Sequence, residues 1–314
     1  MMDRTDEKIL SLIEKRTVSG EEIAKILGVS RVAVWKRIKK LEALGYTIKR
    51  YKEGYKLGAS PDFLYPYELK KYLKTKWLGR KYIFFEEIDS TNIYAKKENL
   101  EHGTVVLAET QTKGKGRKGR KWVSQKGKGL YFSIVLKKSY PFEQFSVLSL
   151  LFPVAVKKAI QKHISKQIFI KWPNDLYIEG KKFAGFLIET ELEGSEISKI
   201  VAGIGVNVNN TTENLKGIPT PATSLRIEEG RKLNRKQILA DILLEIENQI
   251  ESFSHEKVVD EVEKSLLWKG KEVIVVDNHK RGTLLGINKK GYLILQTDRG
   301  LEEIVSGDLS LRQV

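Results

Sequence analysis

The stretch that most constrains this chain is a run in which glycine alternates with basic residues. Residues Lys113 to Lys128 contain eight basic side chains and no acidic one, with glycine at positions 114, 116 and 119. Glycine lets backbone amides approach a ligand closely, and basic side chains can neutralise phosphate oxygens. Taken alone, the run is compatible with an anion-binding loop and with a mobile basic surface loop.

The same glycines satisfy two known nucleotide-binding patterns, and the residues that follow argue against both. A dinucleotide-binding G-x-G-x-x-G motif continues into an amphipathic helix, whereas Trp122-Val-Ser-Gln-Lys-Gly127 follows here. A P-loop ends in Lys followed by Ser or Thr, whereas Arg120-Lys121 stands at that point and no helix is predicted after it. We therefore expect neither a Rossmann nor a P-loop site.

Composition narrows the possible chemistry. The 314 residues are 41% apolar, which suits two or three domains with a sizeable core. Lys and Arg exceed Asp and Glu by 56 to 40, and a formal charge of +16 favours a polyanionic partner, although a solvated basic surface would also account for it. Cysteine is absent and the four histidines are scattered, so no thioester chemistry and no protein-built metal site are expected.

The chain also lacks the pattern of a membrane or secretory segment. Its longest uncharged run, Gln144 to Val156, is interrupted by Pro153 and is too short to span a bilayer. We expect a cytoplasmic protein without membrane contact.

The first 45 residues show three short helical patterns. Their apolar residues recur at helical spacing in three ranges: 5–16, 20–27 and 31–44. Ser19 and Ser30 precede the second and third patterns and are expected to cap those helices. Ile26 is expected on the apolar face of the second helix. On the third, Val34, Ile38 and Leu41 are expected to be buried, while one group of residues points away: Val32, Lys36, Lys39 and Lys40.

Alternating apolar and basic residues from Tyr46 to Leu57 then predict a hairpin bent near Glu53-Gly54. Three helices and a basic hairpin are typical of a winged helix-turn-helix. Residues 1–60 carry 14 Lys or Arg against 8 Asp or Glu, so this domain is basic. The Gly, Ser and Pro residues in 58–66 predict a linker after it.

Strand and helix patterns mix in the centre of the chain, and short strands alone follow Trp268. We expect an α+β multidomain protein with three parts: a winged helix-turn-helix in residues 1–60, a central mixed β-sheet domain in residues 61–266, and a small antiparallel barrel in residues 267–314.

Polar residues at strand ends accompany the basic loop. Lys171-Trp-Pro-Asn-Asp175 ends an apolar strand, where Pro173 cannot donate a ladder hydrogen bond, and a plain structural turn is the alternative. Lys182 begins the second strand of the hairpin that follows. In Val201-Ala-Gly-Ile-Gly-Val-Asn-Val-Asn209, two glycines allow close backbone approach and the asparagines offer hydrogen-bonding amides.

With these motifs together, the sequence resembles the biotin–protein ligases, of the bifunctional type that is also the biotin operon repressor. The resemblance covers essentially the whole chain and rests on five motifs in the same order: Asp89-Ser-Thr-Asn92, Gly114 to Trp122, Lys171 to Asp175, Lys182 to Leu187, and Gly203 to Asn207. Gln111 lies where the family has a biotin-contacting glutamine. One departure is Lys115, where the family has an arginine, because lysine keeps the charge but loses the bidentate fork.

The resemblance implies the catalytic-domain fold of the biotin/lipoate ligases, which is similar to class II synthetases, with an SH3-like C-terminal barrel. It implies that biotin and ATP, with Mg²⁺, form biotinyl-adenylate, and that a lysine of a biotin carboxyl carrier protein then takes the biotin. The implied biotin contacts are Ser90, Thr91, Asn92, Gln111, Lys115, Gly116, Arg117 and Lys182. The implied ATP or adenylate contacts are Arg117, Arg120, Trp122, Asn174, Lys182 and Asn207. The implied catalytic residues are Arg117, Lys182, Lys171 and Asp175.

The resemblance further implies operator DNA as a partner and a homodimer that forms with biotinyl-adenylate bound. The residues expected to contact DNA are Ser30, Arg31, Val32, Lys36, Lys39, Lys40, Lys49 and Arg50.

Less specific interpretations of these residues remain open. Ser90 and Thr91 could only cap a helix, Trp122 could be a core residue, and the lysines of the third helix could be an ordinary solvated surface. At the level of the whole protein, the alternatives are a transcription factor that senses a ligand without catalysis and a lipoate–protein ligase.

Overall fold

The computed structural model describes residues 2–276 and 279–305, together with the backbone of residues 311–313. The chain divides into two compact units, residues 1–68 and residues 69–314. The stretch predicted as a linker is packed rather than extended, because Tyr65 is buried and its ring stacks on that of Tyr46 at 6.2 Å between centroids.

The first unit contains the predicted helices and hairpin. Its elements are α1 (Arg4–Lys15), α2 (Gly20–Leu27), α3 (Arg31–Ala43), β1 (Thr47–Tyr51) and β2 (Gly54–Ala59). The Ser19 hydroxyl accepts from the Glu22 amide at 3.0 Å and that of Ser30 from the Ala33 amide at 3.1 Å, so both predicted caps are confirmed. The prediction for Ile26 was wrong, since 53% of it is exposed and α2 buries Ile23 and Ala24 instead.

The chain then forms an alternation of strands and helices. Its elements up to the C-terminal domain are α4 (Pro66–Lys70), β3 (Tyr82–Ile88), α5 (Thr91–Lys97), β4 (Val105–Gln111), β5 (Leu130–Leu136), β6 (Tyr140–Pro141), α6 (Phe145–Gln161), β7 (Phe169–Lys171), β8 (Asp175–Ile178), β9 (Lys181–Glu193), β10 (Glu196–Val206), α7 (Leu225–Glu229), α8 (Arg235–Glu251) and α9 (His255–Ser265). Pro153 lies inside α6.

Over the described residues, these strands form one mixed sheet in the order β3-β4-β5-β10-β9-β8-β7, with β6 paired to β10. Its register places Gly203 opposite Ser133 and Leu187, and Gly205 opposite Tyr131 and Gly185. Residues directly opposite each other in an antiparallel pair project to the same face. Gly185, Gly203 and Gly205 therefore form a patch without side chains in the middle of the sheet. We call it the glycine patch.

Helix α5 covers the sheet beside the glycine patch. Ala95 of α5 packs in a buried cluster with Val106 of β4, Val135 of β5 and Val201 of β10. Helices α6 and α8 pack on each other, and α6 also contacts β7, β8 and β9. In the described ranges, no helix combines the length and the apolar character that crossing a bilayer requires.

The C-terminal part is a small antiparallel β domain. Its strands are β11 (Glu272–Val275), β12 (Lys280–Ile287), β13 (Leu293–Thr297), β14 (Gly300–Ile304) and β15 (Leu311–Gln313), and the described residues pair in the order β14-β13-β12-β11-β15. Val273, Leu284 and Leu295 form part of its buried side. Trp172 is joined to this domain because its Nε1 donates to the Gly291 carbonyl at 2.9 Å.

Candidate functional site

A cavity of about 630 Å³ lies between α5, the basic loop and β9. Several predicted site residues line it: Ser90, Asn92, Lys115, Gly116 and Arg117. The other lining residues are Ile93, Lys96, Lys97, Lys118, Gly119, Leu187, Glu189 and Glu191. Residues of the Asp89–Asn92 motif and of the basic loop thus lie on the same cavity.

The start of α5 supplies three buried polar residues. Ser90 is the N-cap of α5, where its hydroxyl accepts from the Ile93 amide at 3.5 Å, so this serine has a capping role as well as a place on the cavity. Thr91 and Asn92 are 3% and 5% exposed. Buried polar side chains are almost always hydrogen-bonded, and these two join a larger network.

That network runs across β4, β5 and β9. Gln111 Oε1 accepts from the Thr91 amide at 2.9 Å and lies 3.1 Å from the Thr91 hydroxyl. The Ser133 hydroxyl lies 2.8 Å from that of Thr91 and 2.7 Å from Asn92 Oδ1. Asn92 Nδ2 donates to Glu189 at 2.8 Å. Gln111 therefore contacts Thr91 directly.

The basic loop is folded on itself. The Gly116 amide donates to the Arg120 carbonyl at 2.7 Å, and the Trp122 amide donates to the Gly114 carbonyl at 2.9 Å. Lys118 and Gly119 adopt left-handed backbone, with φ of 57° and 69°. No helix follows Trp122 in the described chain up to β5, which agrees with the rejection of Rossmann and P-loop motifs.

The loop reaches the strand-end motif through Arg117. Its Nη1 donates to Asn174 Oδ1 at 3.4 Å, and Asn174 Nδ2 donates to the Phe186 carbonyl at 2.8 Å. Two of the predicted site residues are thereby adjacent although 57 positions separate them in the sequence.

Trp122 lies on the glycine patch. A Cβ atom at Gly205 would come within 2.5 Å of the indole, and one at Gly185 within 3.0 Å, so only glycine leaves room for this ring. The Lys182 ammonium lies 5.5 Å from the ring centroid, within range of a cation–π contact. The indole Nε1 is buried and has no hydrogen-bond partner among the described residues. Trp122 thus offers a flat ring beside a cation, and its indole N–H makes no hydrogen bond within the described residues.

Lys182 is paired with the predicted carboxylate. Its ammonium lies 2.6 Å from Asp175 Oδ1. Burial raises the pKa of the neighbouring Tyr177 above its usual range, the Asp175 charge raises it further, and the Arg120 charge opposes this. The charges of Asp175 and Arg120 therefore act on the Tyr177 hydroxyl in opposite directions.

Two other predicted site residues, Lys171 and Asn207, make contacts within the protein. The Lys171 ammonium lies 5.5 Å from the ring centroid of Tyr177 and 5.2 Å from that of Trp268, and the residue is 9% exposed. Asn207 is buried, and its Nδ2 donates to the Thr223 carbonyl at 3.1 Å. Both residues therefore have structural contacts in addition to any ligand contact.

Helix α3 and the hairpin carry the predicted DNA contacts. Lys36 and Lys49 are exposed, and no ion pair within the described part of the chain includes either. The exposed fraction is 63% for Val32 and 50% for Trp35, a residue that the sequence reasoning did not select. That Trp35 is exposed is visible only in the structure, because the sequence pattern alone did not indicate it.

Lys40 does not point away as predicted, because its ammonium lies 2.6 Å from the buried carboxylate of Asp6. Arg37 also contacts Asp6, at 2.7 Å. Arg50 is paired with Glu42 at 2.7 Å, and Lys39 lies 3.5 Å from the same carboxylate. The basic surface is therefore partly neutralised by its own domain.

Sequence reasoning also missed Ser133 and Glu189. Ser133 is a single polar residue in the fully buried strand β5, and that isolation was a usable signal. Glu189 had no comparable signal, since its partners Asn92 and Lys96 lie on α5, 97 and 93 positions earlier in the sequence. Among the described residues, no group of three or more His, Cys, Asp or Glu side chains could bind a metal ion.

Comparison with known proteins agrees with these features. Residues 84–207 match the model of the biotin/lipoate A/B protein ligase family, residues 5–56 match a helix-turn-helix domain, and residues 270–312 match a biotin protein ligase C-terminal domain. A structure of biotin protein ligase from Aquifex aeolicus in complex with biotin and ATP is similar with a TM-score of 0.66 and 34% identity, over 75% of this chain and 100% of that one.

Full-length relatives match in both parts. The bifunctional ligase/repressor BirA of Bacillus subtilis is 35% identical over 310 residues, which cover 94% of each chain. Its Escherichia coli counterpart is 28% identical over 302 residues, covering 94% of this chain and 92% of the relative. The chain therefore belongs to the biotin–protein ligase family, in the branch of the bifunctional ligase/repressor proteins.

Proposed function

We propose that this protein activates biotin with ATP to biotinyl-5'-AMP, transfers the biotin to a lysine of a biotin carboxyl carrier protein, and represses biotin genes through its helix-turn-helix. The observation that carries the proposal is that Trp122 and Lys182 lie at the glycine patch, while Arg117 of the same loop bonds Asn174. Cations and an aromatic ring beside a surface without side chains suit an adenylate, which has a phosphate and a flat base.

In the first step a biotin carboxylate oxygen attacks the α-phosphorus of ATP, and pyrophosphate leaves. Both reactants are anions, so fixed cations are required to bring them together and to stabilise the charge of the transition state. Arg117, Arg120, Lys182 and Lys171 would supply them, with Lys182 exchanging its contact to Asp175 for the phosphate. Trp122 would stack on adenine, and Asn174 and Asn207 would hydrogen-bond to the nucleotide.

Biotin would lie beside the start of α5 and under the basic loop. Its contacts would be Ser90, Thr91, Asn92, Gln111, Lys115, Gly116, Arg117 and Lys182. Lys115 would supply charge and backbone amides there without the bidentate geometry of an arginine.

In the second step the amine of the acceptor lysine attacks the biotinyl carbonyl, the acyl–phosphate bond breaks, and AMP leaves with its electron pair. No protein nucleophile is needed, which suits a chain without cysteine. Asp175 is the carboxylate that would orient the amine and take its proton once Lys182 has turned to the phosphate.

Magnesium would enter with ATP rather than in a protein-built site. Mg²⁺ commonly binds substrate phosphates through one or two carboxylates and keeps several waters. Asp175 is a carboxylate beside the proposed nucleotide site, and this single ligand fits a substrate-borne ion.

The N-terminal unit would bind operator DNA as part of a homodimer that forms with biotinyl-adenylate bound. Winged helix proteins read two half-sites through a two-fold dimer. The proposed contacts are Ser30, Arg31, Val32, Lys36, Lys39, Lys49 and Arg50, of which Lys36 and Lys49 require no ion pair to break. Lys40, which the resemblance also implied, is bonded to Asp6 instead. We also propose domain limits of 1–60, 61–266 and 267–314, a class II synthetase-like centre and an SH3-like C-terminal barrel.

A labelling assay tests the catalytic proposal. The full chain with biotin, MgATP and a biotin carrier domain is expected to add one biotin per carrier and to release pyrophosphate. Lipoate in place of biotin tests the lipoate ligase, and an unlabelled carrier despite biotin binding would favour a ligand sensor without catalysis. Transfer of lipoate instead of biotin, or an unlabelled carrier despite biotin binding, would overturn the proposal.

A further inference from the structure

The chemistry of the groups around Asn92 fixes the orientation of its amide. Glu189 is ion-paired with Lys96 at 2.8 Å, and an ionised carboxylate only accepts hydrogen bonds. The Leu187 carbonyl, which also only accepts, lies 3.3 Å from the same amide atom of Asn92. That atom must be the donor Nδ2, so the acceptor Oδ1 is turned towards Ser133.

The hydroxyl proton of Ser133 is then directed to Asn92 Oδ1. Its hydroxyl lies 2.7 Å from Asn92 Oδ1, which cannot donate, and the residue has no exposed surface. A serine hydroxyl has a single proton, and it is used in the bond to Asn92. Ser133 therefore cannot donate to Thr91 and faces it as an acceptor.

Thr91 is thus surrounded by acceptors. Gln111 turns its Oε1 to this residue, because that atom accepts from the Thr91 amide at 2.9 Å. The Thr91 proton is used on Ser133 or on Gln111, at 2.8 Å and 3.1 Å, and neither neighbour donates in return. The Thr91 hydroxyl oxygen consequently retains its capacity to accept a hydrogen bond from a ligand.

We propose that Glu189 is a positioning residue that acts through Asn92 and Ser133 to make the Thr91 hydroxyl an acceptor for an N–H group of the ligand. We call the four residues the acceptor relay. The inference rests on the proposed function, in which the ligand is biotin, whose ureido ring has two N–H groups. Ser133 thereby contributes to specificity without lining the cavity, and Glu189, which does line it, acts through Asn92.

The sheet supports this arrangement independently. A Cβ atom at Gly203 would lie 2.4 Å from Asn92 Oδ1, so glycine at this position leaves the space that the amide oxygen occupies. The relay thus depends on the glycine patch as well as on its own polar groups.

The test compares biotin with two cyclic carbamate analogues, in each of which one ureido N–H is replaced by a ring oxygen. The full chain should bind at least one analogue about tenfold or more weakly than biotin, because a buried acceptor then loses its partner. Glu189→Gln should reduce this ratio towards one, since a glutamine side chain can donate as well as accept and lets Asn92 turn. Ser133→Ala should also reduce it, because Thr91 then has one acceptor fewer to hold its proton.

Glu191→Gln is the matched control. Glu191 lines the same cavity two residues further along β9, but its carboxylate bonds Lys199 at 2.9 Å and not Asn92. It should keep the wild-type ratio, and thermal unfolding checks that all variants are folded. Wild-type ratios in both Glu189→Gln and Ser133→Ala would overturn the relay while biotin ligation stands. A wild-type chain that does not bind biotin would instead overturn the proposed function and the relay with it.

Discussion

At the residue scale, the glycine patch decides what can lie on the sheet. Trp122 and Asn92 occupy space in which a β-carbon at Gly205 or Gly203 would lie 2.5 Å or 2.4 Å from them. Two roles that the resemblance implies for separate motifs, a ring for adenine and a polar group for biotin, would thus depend on glycines two residues apart in one strand. The spacing of those glycines is explained by the side chains that they accommodate.

We therefore expect Gly205→Ala to impair the nucleotide site selectively. The new methyl group must displace the Trp122 ring, so the KM for ATP should rise about tenfold or more while biotin binding changes little, which corresponds to about 1.4 kcal/mol. Titration calorimetry with biotin and labelling kinetics at varied ATP measure the two effects. A smaller ring should restore part of the loss in Gly205→Ala/Trp122→Phe, and an ATP KM equal to that of wild type in the single variant would contradict the packing argument.

Local patterns predicted most of the candidate site, but not the partners that come from distant parts of the chain. The basic loop, the strand-end motif and the paired glycines were identifiable because each is a short run of unusual composition. The contacts of Lys40 were not, since its partner Asp6 lies 34 positions away in the sequence and is a completely buried carboxylate. Ser133 and Asn92 are likewise 41 positions apart and meet only through the sheet.

At the element scale, the three helices of the first unit and the long helix α8 were predicted, whereas α9 was missed. The amphipathic pattern of residues 234–254 predicts a helix, and the structure has α8 there, Arg235–Glu251, with Asn234 as its cap. The 11-residue helix α9 was missed, although Val258, Val259 and Val262 form its buried side. Its Ser254 cap and the spacing of its valines were usable signals that the sequence reasoning overlooked, and the helix packs against α6 and β12.

A buried ion pair connects α8 to the segment that follows the basic loop. Arg235 Nη1 lies 3.0 Å from Glu109 and 2.9 Å from the Gly129 carbonyl, and the Gly127 amide donates to Glu109 at 3.1 Å. Both charged side chains are completely buried. This pair anchors the C-terminal end of the basic segment, so motion of the loop would be confined to the residues before it.

Arg235→Met should therefore destabilise the second unit by about 3–5 kcal/mol, because it leaves a buried carboxylate without its partner. Glu109→Gln in the same chain should recover a large part of that loss. Urea unfolding followed by tryptophan fluorescence gives the values. The exposed pair Lys81–Glu101 is the control, and Lys81→Met should cost less than about 1 kcal/mol. A loss below about 1 kcal/mol for Arg235→Met would show that the pair is not an anchor.

The contact between α1 and α3 has a predictable pH dependence. The hydrogen bond from Arg37 holds the pKa of Asp3 at about 2, below its ordinary value of 3.8. A group whose pKa is lower in the folded state stabilises the fold above its unfolded pKa, and this contribution is lost as the pH falls from about 4 through 2. The effect should be modest, since the Asp3 side chain is half exposed.

Asp3→Asn tests this, because asparagine preserves the helix cap and removes the charge. The variant should have a lower Tm than wild type for the first unit at pH 6, and the two values should converge near pH 2. A difference in Tm that stays constant from pH 6 to pH 2 would rule out the Asp3–Arg37 contact as its source.

At the scale of the whole molecule, the basic residues behind the net charge of +16 lie in both units, where they suit two different anionic partners. In the second unit, basic residues of the loop line the cavity and suit the phosphates of the proposed substrate. In the first, only part of the basic surface is available for DNA, because Lys39, Lys40 and Arg50 have carboxylate partners. The total charge therefore overstates the number of phosphate contacts that the protein can make.

Salt dependence of operator binding should reveal both the contacts and the dimer. Each phosphate contact contributes about 0.9 to the slope of log K against log salt. Lys36→Ala should reduce that slope by about 1.8, since a two-fold dimer loses the contact twice, whereas a monomer would lose only about 0.9. Lys40→Ala should change the slope less and instead lower the free energy of unfolding, because its ammonium is bonded to the buried Asp6. Fluorescence anisotropy with an operator duplex isolated by binding selection, in the presence of biotin and MgATP, gives the slopes. If Lys40→Ala reduced the slope as much as Lys36→Ala and left stability unchanged, Lys40 would be a phosphate contact and its pairing with Asp6 would be broken in the complex.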